Sequence, residues 1–213
     1  HDRQHQHEDD HDREDALGFY RRFYAPNNAL LVIAGDVEPD EVRKLAEETF
    51  GRLPPHASLN GRSRPQEPDH YAPVKVELED PRAGRMTVQR YYLTPSYATA
   101  APGEAEALDL LMRIAAAGSV SKLYKRLVIE QKKAANAGGW YSDTGVDAGR
   151  LGFYAIAAEK VSAGELEQAI DGVLAELTES GVTQDELDRA RNAFIADFVY
   201  TTDSQSRMAR HYG

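Results

Sequence analysis

The order of hydrophobic and polar positions predicts helices and strands from the first apolar residues onward. Residues 16–24 and 39–50 carry apolar side chains at helical spacing, and an unbroken apolar run at 29–35 between them predicts a buried strand. Pro26 ends the first helix, because its ring and its missing N–H cannot continue one. This part of the chain is therefore expected to form helix, strand and helix.

Further along, the pattern alternates in the way that half-buried strands do. Residues 74–78 and 86–93 alternate apolar and polar side chains on either side of a turn at 80–85, which predicts a hairpin. Residues 134–142 and 150–158 predict a second pair of strands. Both pairs are expected to belong to one antiparallel sheet.

Helical patterns follow each predicted hairpin. Residues 104–117 and 121–133 form one pair, and the second pair begins at 162–165 and 183–186, where Ser-x-x-Glu and Thr-x-x-Glu match the capping box. Hairpin, helix pair, hairpin and helix pair predict an α+β fold in which helices pack on one face of an antiparallel sheet.

Composition narrows the functions that such a fold could serve. The chain has 213 residues, a formal net charge of −10 and no cysteine. The acidic balance argues against a nucleic-acid partner, and the lack of thiols excludes disulfides and thiolate metal sites. No window approaches the ~18 apolar residues of a membrane span. We expect a soluble chain, periplasmic or cytoplasmic in a bacterium, because a chain without cysteine suits either compartment.

Two segments lack the apolar residues that a packed core requires. Residues 1–14 are rich in His and acidic side chains and predict a disordered tail, and the Pro- and Arg-rich residues 52–71 predict a linker. The tail contains His7-Glu-Asp-Asp-His11, which matches the His-Glu-x-x-His zinc pattern. We do not assign it as a site, because no apolar residue nearby could anchor the helix that this motif needs.

The stretch after the first helix carries a recognisable motif. Tyr24-Ala-Pro-Asn-Asn-Ala29, followed by Leu-Leu-Val-Ile-Ala and Gly35-Asp-Val37, closely resembles a signature of the insulinase-like zinc peptidases, the family of pitrilysin and the mitochondrial processing peptidases. The block Gly118–Gln131 resembles the small-residue loop and Ser-Lys-Leu-Tyr-x-x-Leu helix of the same family. The resemblance covers roughly residues 15–213 and implies the family's α+β fold.

The same resemblance implies that the catalytic chemistry lies elsewhere. The family's inverted His-x-x-Glu-His zinc motif precedes the Tyr24 signature, and this sequence contains no such motif. We therefore assign no catalytic or metal-binding residue and no cofactor to this chain, and we expect zinc in the parent protein. The chain is expected to be a fragment that is inactive alone.

By resemblance, residues 15–51 are the last helix-strand-helix of a first peptidase domain, and residues 72–213 are a second, non-zinc-binding domain that is incomplete at its C-terminus. The implied role is a chamber wall and peptide-binding surface. Its partners would be a zinc-bearing peptidase domain or subunit and peptide substrates. The alternative is a structural or binding subunit, like the core proteins of respiratory complexes.

Several polar residues could suggest chemistry of their own. Three histidines are isolated in the sequence, namely His56, His70 and His211. An isolated histidine is more often a surface residue than a metal ligand. Ser119 or Ser121 is better explained as a helix N-cap than as a nucleophile, since no triad partner accompanies either. Arg150 and Tyr154 are of interest because partner halves of the resembled family contact substrate through an Arg and a Tyr. Their even spacing alone does not identify them as site residues.

One structural hypothesis concerns a vacant strand position. If the two family domains repeat one topology, the second domain ends before its last strand, which leaves a sheet edge open. We expect residues 30–34 to fill that edge, either within one chain or by strand exchange in a homodimer.

Overall fold

A computed structural model of the chain describes residues 13–56, 59 and 70–213. These divide into two compact units, one formed by residues up to 74 with 199–213 and the other by 75–198. Residues 1–12 of the predicted tail and most of the predicted linker lie outside the described residues, whereas residues 13–14 of that tail are helical. The division into family domains stays a prediction.

The unit at 75–198 is built on a three-stranded antiparallel sheet. Its strands are β1 (Thr87–Thr94), β2 (Ala134–Ser142) and β3 (Gly149–Ala157), in the order β1-β3-β2. In the register, Gly152 of β3 lies between Tyr91 and Trp140. The predicted second hairpin is confirmed, and β1 is the second strand of the predicted first hairpin.

Helices cover one face of this sheet. They are α3 (Glu104–Ala115), α4 (Lys122–Tyr124) with its π-helical continuation Lys125–Glu130, and α5 (Ala163–Ser180). A further helix, α6 (Gln184–Thr202), forms ion pairs with α3 and α4 through Asp197 and Glu186. The buried core joins inward side chains of the sheet to α3, α4 and α5; its members include Val88, Phe153, Ala155, Met112, Leu123, Leu127, Leu166 and Ile170. The α+β fold with helices on one face of an antiparallel sheet is confirmed.

Both predicted capping boxes are present. In α5 the Ser162 N–H donates to Glu165 Oε2 at 2.9 Å, and the Glu165 N–H donates to Ser162 Oγ at 3.3 Å. At the start of α6, Thr183 and Glu186 make the same reciprocal pair at 2.9 and 3.3 Å. Hydrogen bonds from the cap backbone hold the pKa of both glutamates below the ordinary value.

The other unit contains α1 (Arg13–Phe23), a 3₁₀ turn at Pro26–Asn28, α2 (Pro39–Thr49) and a helix that the sequence pattern did not predict, α7 (Gln205–Tyr212). The signature asparagines have structural roles here. Asn28 Nδ2 donates to the Phe23 carbonyl at 2.8 Å, at the C-terminal end of α1. Asn27 pairs with the backbone of His56 through two hydrogen bonds of 3.0 and 3.1 Å.

Two strand predictions are wrong. Residues 29–35 and 74–78 form no strand, and their apolar side chains face solvent: Leu30 is 73% exposed, Val76 85% and Leu78 87%. The reason is that alternation reports where side chains would point, whereas a strand also needs a partner backbone. Within the described residues neither segment has one. The expected pairing of residues 30–34 with the sheet inside one chain is therefore not found.

Candidate functional site

The face of the sheet turned away from the helices carries an aromatic cluster. Because paired residues share a face, Tyr91, Gly152 and Trp140 form one row across the three strands, and Leu93, Arg150 and Ser142 form the next. Tyr91 is 53% exposed and Trp140 is 42% exposed. A soluble sheet normally presents polar side chains on its uncovered face, so these rings stand out.

Two glycines make room for the rings. A Cβ on Gly152 would lie 2.5 Å from Trp140 Cε2, and a Cβ on Gly138 would lie 2.8 Å from the Tyr154 hydroxyl. Trp140 and Tyr154 therefore lie against bare backbone. The rings of Tyr91 and Trp140 meet over Gly152, with centroids 5.9 Å apart and planes tilted by 53°.

A cation completes the cluster. The Arg150 guanidinium carbon lies 5.8 Å from the centroid of the Tyr91 ring, within the range of a cation–π contact. Among the described residues, no carboxylate lies within ion-pair distance of Arg150, whereas Arg90 on the covered face pairs with Asp171. We call Tyr91, Trp140 and Arg150 the ring platform.

A second surface of note lies in the unit formed by residues up to 74 with 199–213. None of its described side chains is buried. Residues 31–37 and the first turns of α2 enclose a groove of about 420 Å³. Its lining is Leu31, Ile33, Val37, Pro39, Val42, Arg43 and Ala46. We call it the apolar groove.

The structure places the candidate residues of the sequence in different environments. Of the two serines proposed as caps, Ser121 is the N-cap of α4: its Oγ accepts from the Tyr124 N–H at 3.3 Å and donates to the Gly118 carbonyl at 2.7 Å. Arg150 and Tyr154 share the uncovered face of the sheet. His56 pairs through its backbone with Asn27, and His211 packs edge-on against Tyr212.

No metal centre is formed by the described part of the chain, where no three His, Cys, Asp or Glu side chains cluster at ligand distance. His7 and His11 lie outside the described residues. In the middle of α3, the Tyr97 hydroxyl donates to Asp109 Oδ2 at 2.9 Å. Burial raises the pKa of both groups.

Sequence reasoning did not find the ring platform. Tyr91 and Trp140 are 49 positions apart in the chain, so only the strand order β1-β3-β2 brings them together. One signal was available: a glycine in the interior of a predicted strand often marks a close approach of another group, and Gly152 is such a residue.

Comparison with known proteins identifies the family. Residues 10–194 match the family described as the Peptidase M16 inactive domain. The chain belongs to this family. It is therefore an inactive M16 peptidase domain, and the predicted membership of the insulinase-like peptidases is confirmed.

Individual relatives agree with this assignment. A curated protein named zinc protease PqqE, from Helicobacter pylori strain ATCC 700392 / 26695, is 26% identical over 200 residues, which cover 92% of this chain and 44% of that protein. The crystal structure of a protease from Helicobacter pylori superposes with a TM-score of 0.77 at 24% identity, covering 94% of this chain and 48% of that one.

A third relative is the M16 inactive domain from Pseudomonas fluorescens, with a TM-score of 0.73 at 20% identity, covering 95% of this chain and 46% of that chain. These structural matches show the α+β fold. The chain spans less than half the length of all three relatives. In the described part of the chain, no helix is long and apolar enough to cross a membrane.

Proposed function

We propose that this chain is the non-catalytic portion of a zinc-dependent metalloendopeptidase, and that it contributes chamber wall and peptide-binding surface to a zinc-bearing partner domain. The observation that carries the proposal is the uncovered apolar surface of an M16 inactive domain. Monomeric proteins rarely leave large contiguous apolar patches exposed, and such patches mark interaction sites.

The apolar groove supports an obligate partner. Leu31, Ile33 and Val42 line it, and the unit to which they belong buries none of its described side chains. A unit that buries so little cannot offset the conformational entropy of folding by itself. We infer that a zinc-bearing peptidase domain covers this surface.

The ring platform supports the peptide-binding part of the proposal. An uncovered sheet face offers stacking area and a charge to an extended peptide, because it carries aromatic rings and a cation that pairs with no carboxylate of the described residues. Zinc and the general base would come from the partner domain, as the name of the Helicobacter pylori relative suggests. In the absence of that domain, residues 30–34 are free to pair with a second copy by strand exchange.

The test is reconstitution with a zinc-bearing M16 domain that retains His-x-x-Glu-His, both components being purified separately. Cleavage of a quenched fluorescent peptide library is measured for each component and for the mixture, with and without a chelator. We expect chelator-sensitive cleavage only in the mixture, and a 1:1 complex in size-exclusion chromatography.

Two variants test whether the apolar groove forms the interface with the zinc-bearing domain. Ile33→Asp places a charge in the apolar groove and is expected to abolish the complex, whereas Ile129→Asp, on an exposed position of the other unit, is expected to leave it intact. Chelator-sensitive cleavage by this chain alone would contradict the proposal. A stable complex that cleaves no peptide would instead favour the structural-subunit alternative.

A further inference from the structure

We propose that the ring platform is a specificity subsite that selects peptide segments carrying a large apolar side chain and a carboxylate two residues apart. This inference rests on the proposed peptide-binding role and names the chemistry that the surface prefers. It concerns the face of the sheet, which is distinct from the sheet edges and from the apolar groove.

The rings of the platform are supported by glycine backbone. Glycine weakens a central strand, because it has no side chain to pack and loses more conformational freedom on folding. Gly152 nevertheless occupies the middle of β3, the central strand, and Trp140 lies against its backbone. The result is a shallow aromatic surface between Tyr91 and Trp140, on which an apolar side chain can lie flat.

Charge also distinguishes this surface from the rest of the sheet unit. Arg90, Arg113 and Arg126 each pair with a carboxylate of the protein. Arg150 makes no such pair within the described residues. Its guanidinium lies over the face of the Tyr91 ring. A guanidinium held by an aromatic ring keeps its N–H donors available for a carboxylate, which they can bind in a bidentate manner.

The positions of Arg150 and Gly152 along β3 match the spacing of side chains in an extended peptide. Arg150 and Gly152 are two residues apart on β3 and belong to the same face of the sheet, so their Cα atoms are about 7 Å apart. Side chains at positions i and i+2 of an extended peptide have the same separation. A peptide that lies along β3 would therefore place its apolar side chain on Trp140 and its carboxylate at Arg150.

The chain offers a direct probe, because Trp140 is its only tryptophan. Peptides without tryptophan are titrated into the full chain while the Trp140 emission is recorded. The series is Phe-Gly-Asp, Phe-Gly-Asn, Phe-Gly-Lys and Ala-Gly-Asp, each within the same blocked glycine-rich frame. A version of Phe-Gly-Asn with a free C-terminus shows whether a terminal carboxylate can replace the aspartate.

We expect Phe-Gly-Asp to bind most tightly and to shift the Trp140 emission. Its advantage over Phe-Gly-Lys should shrink as salt is raised, because the carboxylate contact is exposed to solvent. Arg150→Glu should weaken Phe-Gly-Asp by about fivefold and reverse the order, so that Phe-Gly-Lys binds better. Arg189→Glu, at an exposed position of α6, changes the net charge by the same amount as Arg150→Glu. It should leave the order of the peptide affinities unchanged.

Circular dichroism and thermal melting show that each variant is folded. The reversal of preference is a result that a purely structural role of Arg150 would not give. Equal binding of all four peptides, binding without a change in Trp140 emission, or no binding at all would each overturn the inference. Reconstitution with the zinc-bearing domain tests the proposed function separately, so a functional complex with an unselective platform would refute only the subsite.

Discussion

Single residues show most directly how close packing constrains this fold. Gly139 of β2 donates its N–H to the Ala116 carbonyl at 3.0 Å, where the covered face of the sheet meets the end of α3. A Cβ there would lie 2.5 Å from the Gly152 carbonyl oxygen and 2.7 Å from Ala116 Cβ. Backbone cannot move aside as a flexible side chain can, so the site has no room for one added carbon.

Gly139→Ala is therefore expected to lower the free energy of unfolding by about 1–3 kcal/mol, the usual cost of overpacking a core. Gly172→Ala is the matched control, since no atom lies within 4 Å of its added Cβ in the interior of α5. That substitution should stabilise the protein by about 0.5–1 kcal/mol. Urea denaturation followed by circular dichroism checks both signs. Equal effects would contradict the packing argument.

At this scale, the sequence alone found residues whose role is local. Ser162 and Thr183 are identified as caps from the sequence, and Ser121 is one of two candidates, because a cap depends on side chains within about four positions in the chain. Tyr91 and Trp140 were not identified as neighbours. Their contact depends on strand order, which no local pattern encodes.

Among the elements, α5 and α6 have capping boxes whose contribution to stability depends on pH. Hydrogen bonds from the Ser162 and Thr183 backbones lower the pKa of Glu165 and Glu186. The Lys122 ammonium, 2.9 Å from Glu186 Oε1, acts in the same direction. A carboxylate whose pKa is lowered by folding stabilises the protein above its unfolded pKa, and the contribution is lost as pH falls through the folded pKa.

The Glu165→Gln, Glu186→Gln double variant should therefore melt below the wild type at pH 7, and the difference should shrink below the ordinary glutamate pKa of 4.5. Glutamine still accepts the cap hydrogen bond but carries no charge that titrates. Thermal melts between pH 7 and pH 3 measure the difference in melting temperature between the wild type and the double variant. Glu179→Gln, at the far end of α5, serves as the control. A difference in melting temperature that stays constant with pH would refute the proposed dependence of stability on the charge of the two glutamates.

Element types were more predictable than element partners. The helices α2, α3, α5 and α6 and the β2–β3 hairpin follow from periodicity and caps, which act within one segment. Residues 29–35 and 74–78 have the same apolar character as true strands, yet they remain unpaired in the described part of the chain. The missing information was the backbone that would complete a ladder.

At the scale of the whole molecule, the important property is apolar surface that is exposed to solvent. Leu30, Leu31 and Ile33 are exposed beside the apolar groove, and an uncovered extended segment is a template for another chain. In the absence of a zinc-bearing partner, we expect the chain to self-associate reversibly through residues 30–34. Sedimentation velocity over a range of concentrations measures this.

Leu30→Lys is expected to shift the chain toward monomer, because a buried or paired strand tolerates a lysine poorly. Ile129→Lys also replaces an exposed apolar side chain but lies in the π-helical segment, and it should leave the association unchanged. A wild-type chain that remains monomeric at every concentration would rule out strand exchange.

The sequence by itself determined the family, the positions of most helices, the capping boxes and the α+β class, because these depend on motifs and periodicities contained within single segments. Tertiary structure decided which apolar segments become strands, which face of the sheet is covered, and that Trp140 and Arg150 both lie beside the ring of Tyr91. The physical reason is that pairing and packing join groups far apart in the chain. Their energy depends on which partner is present.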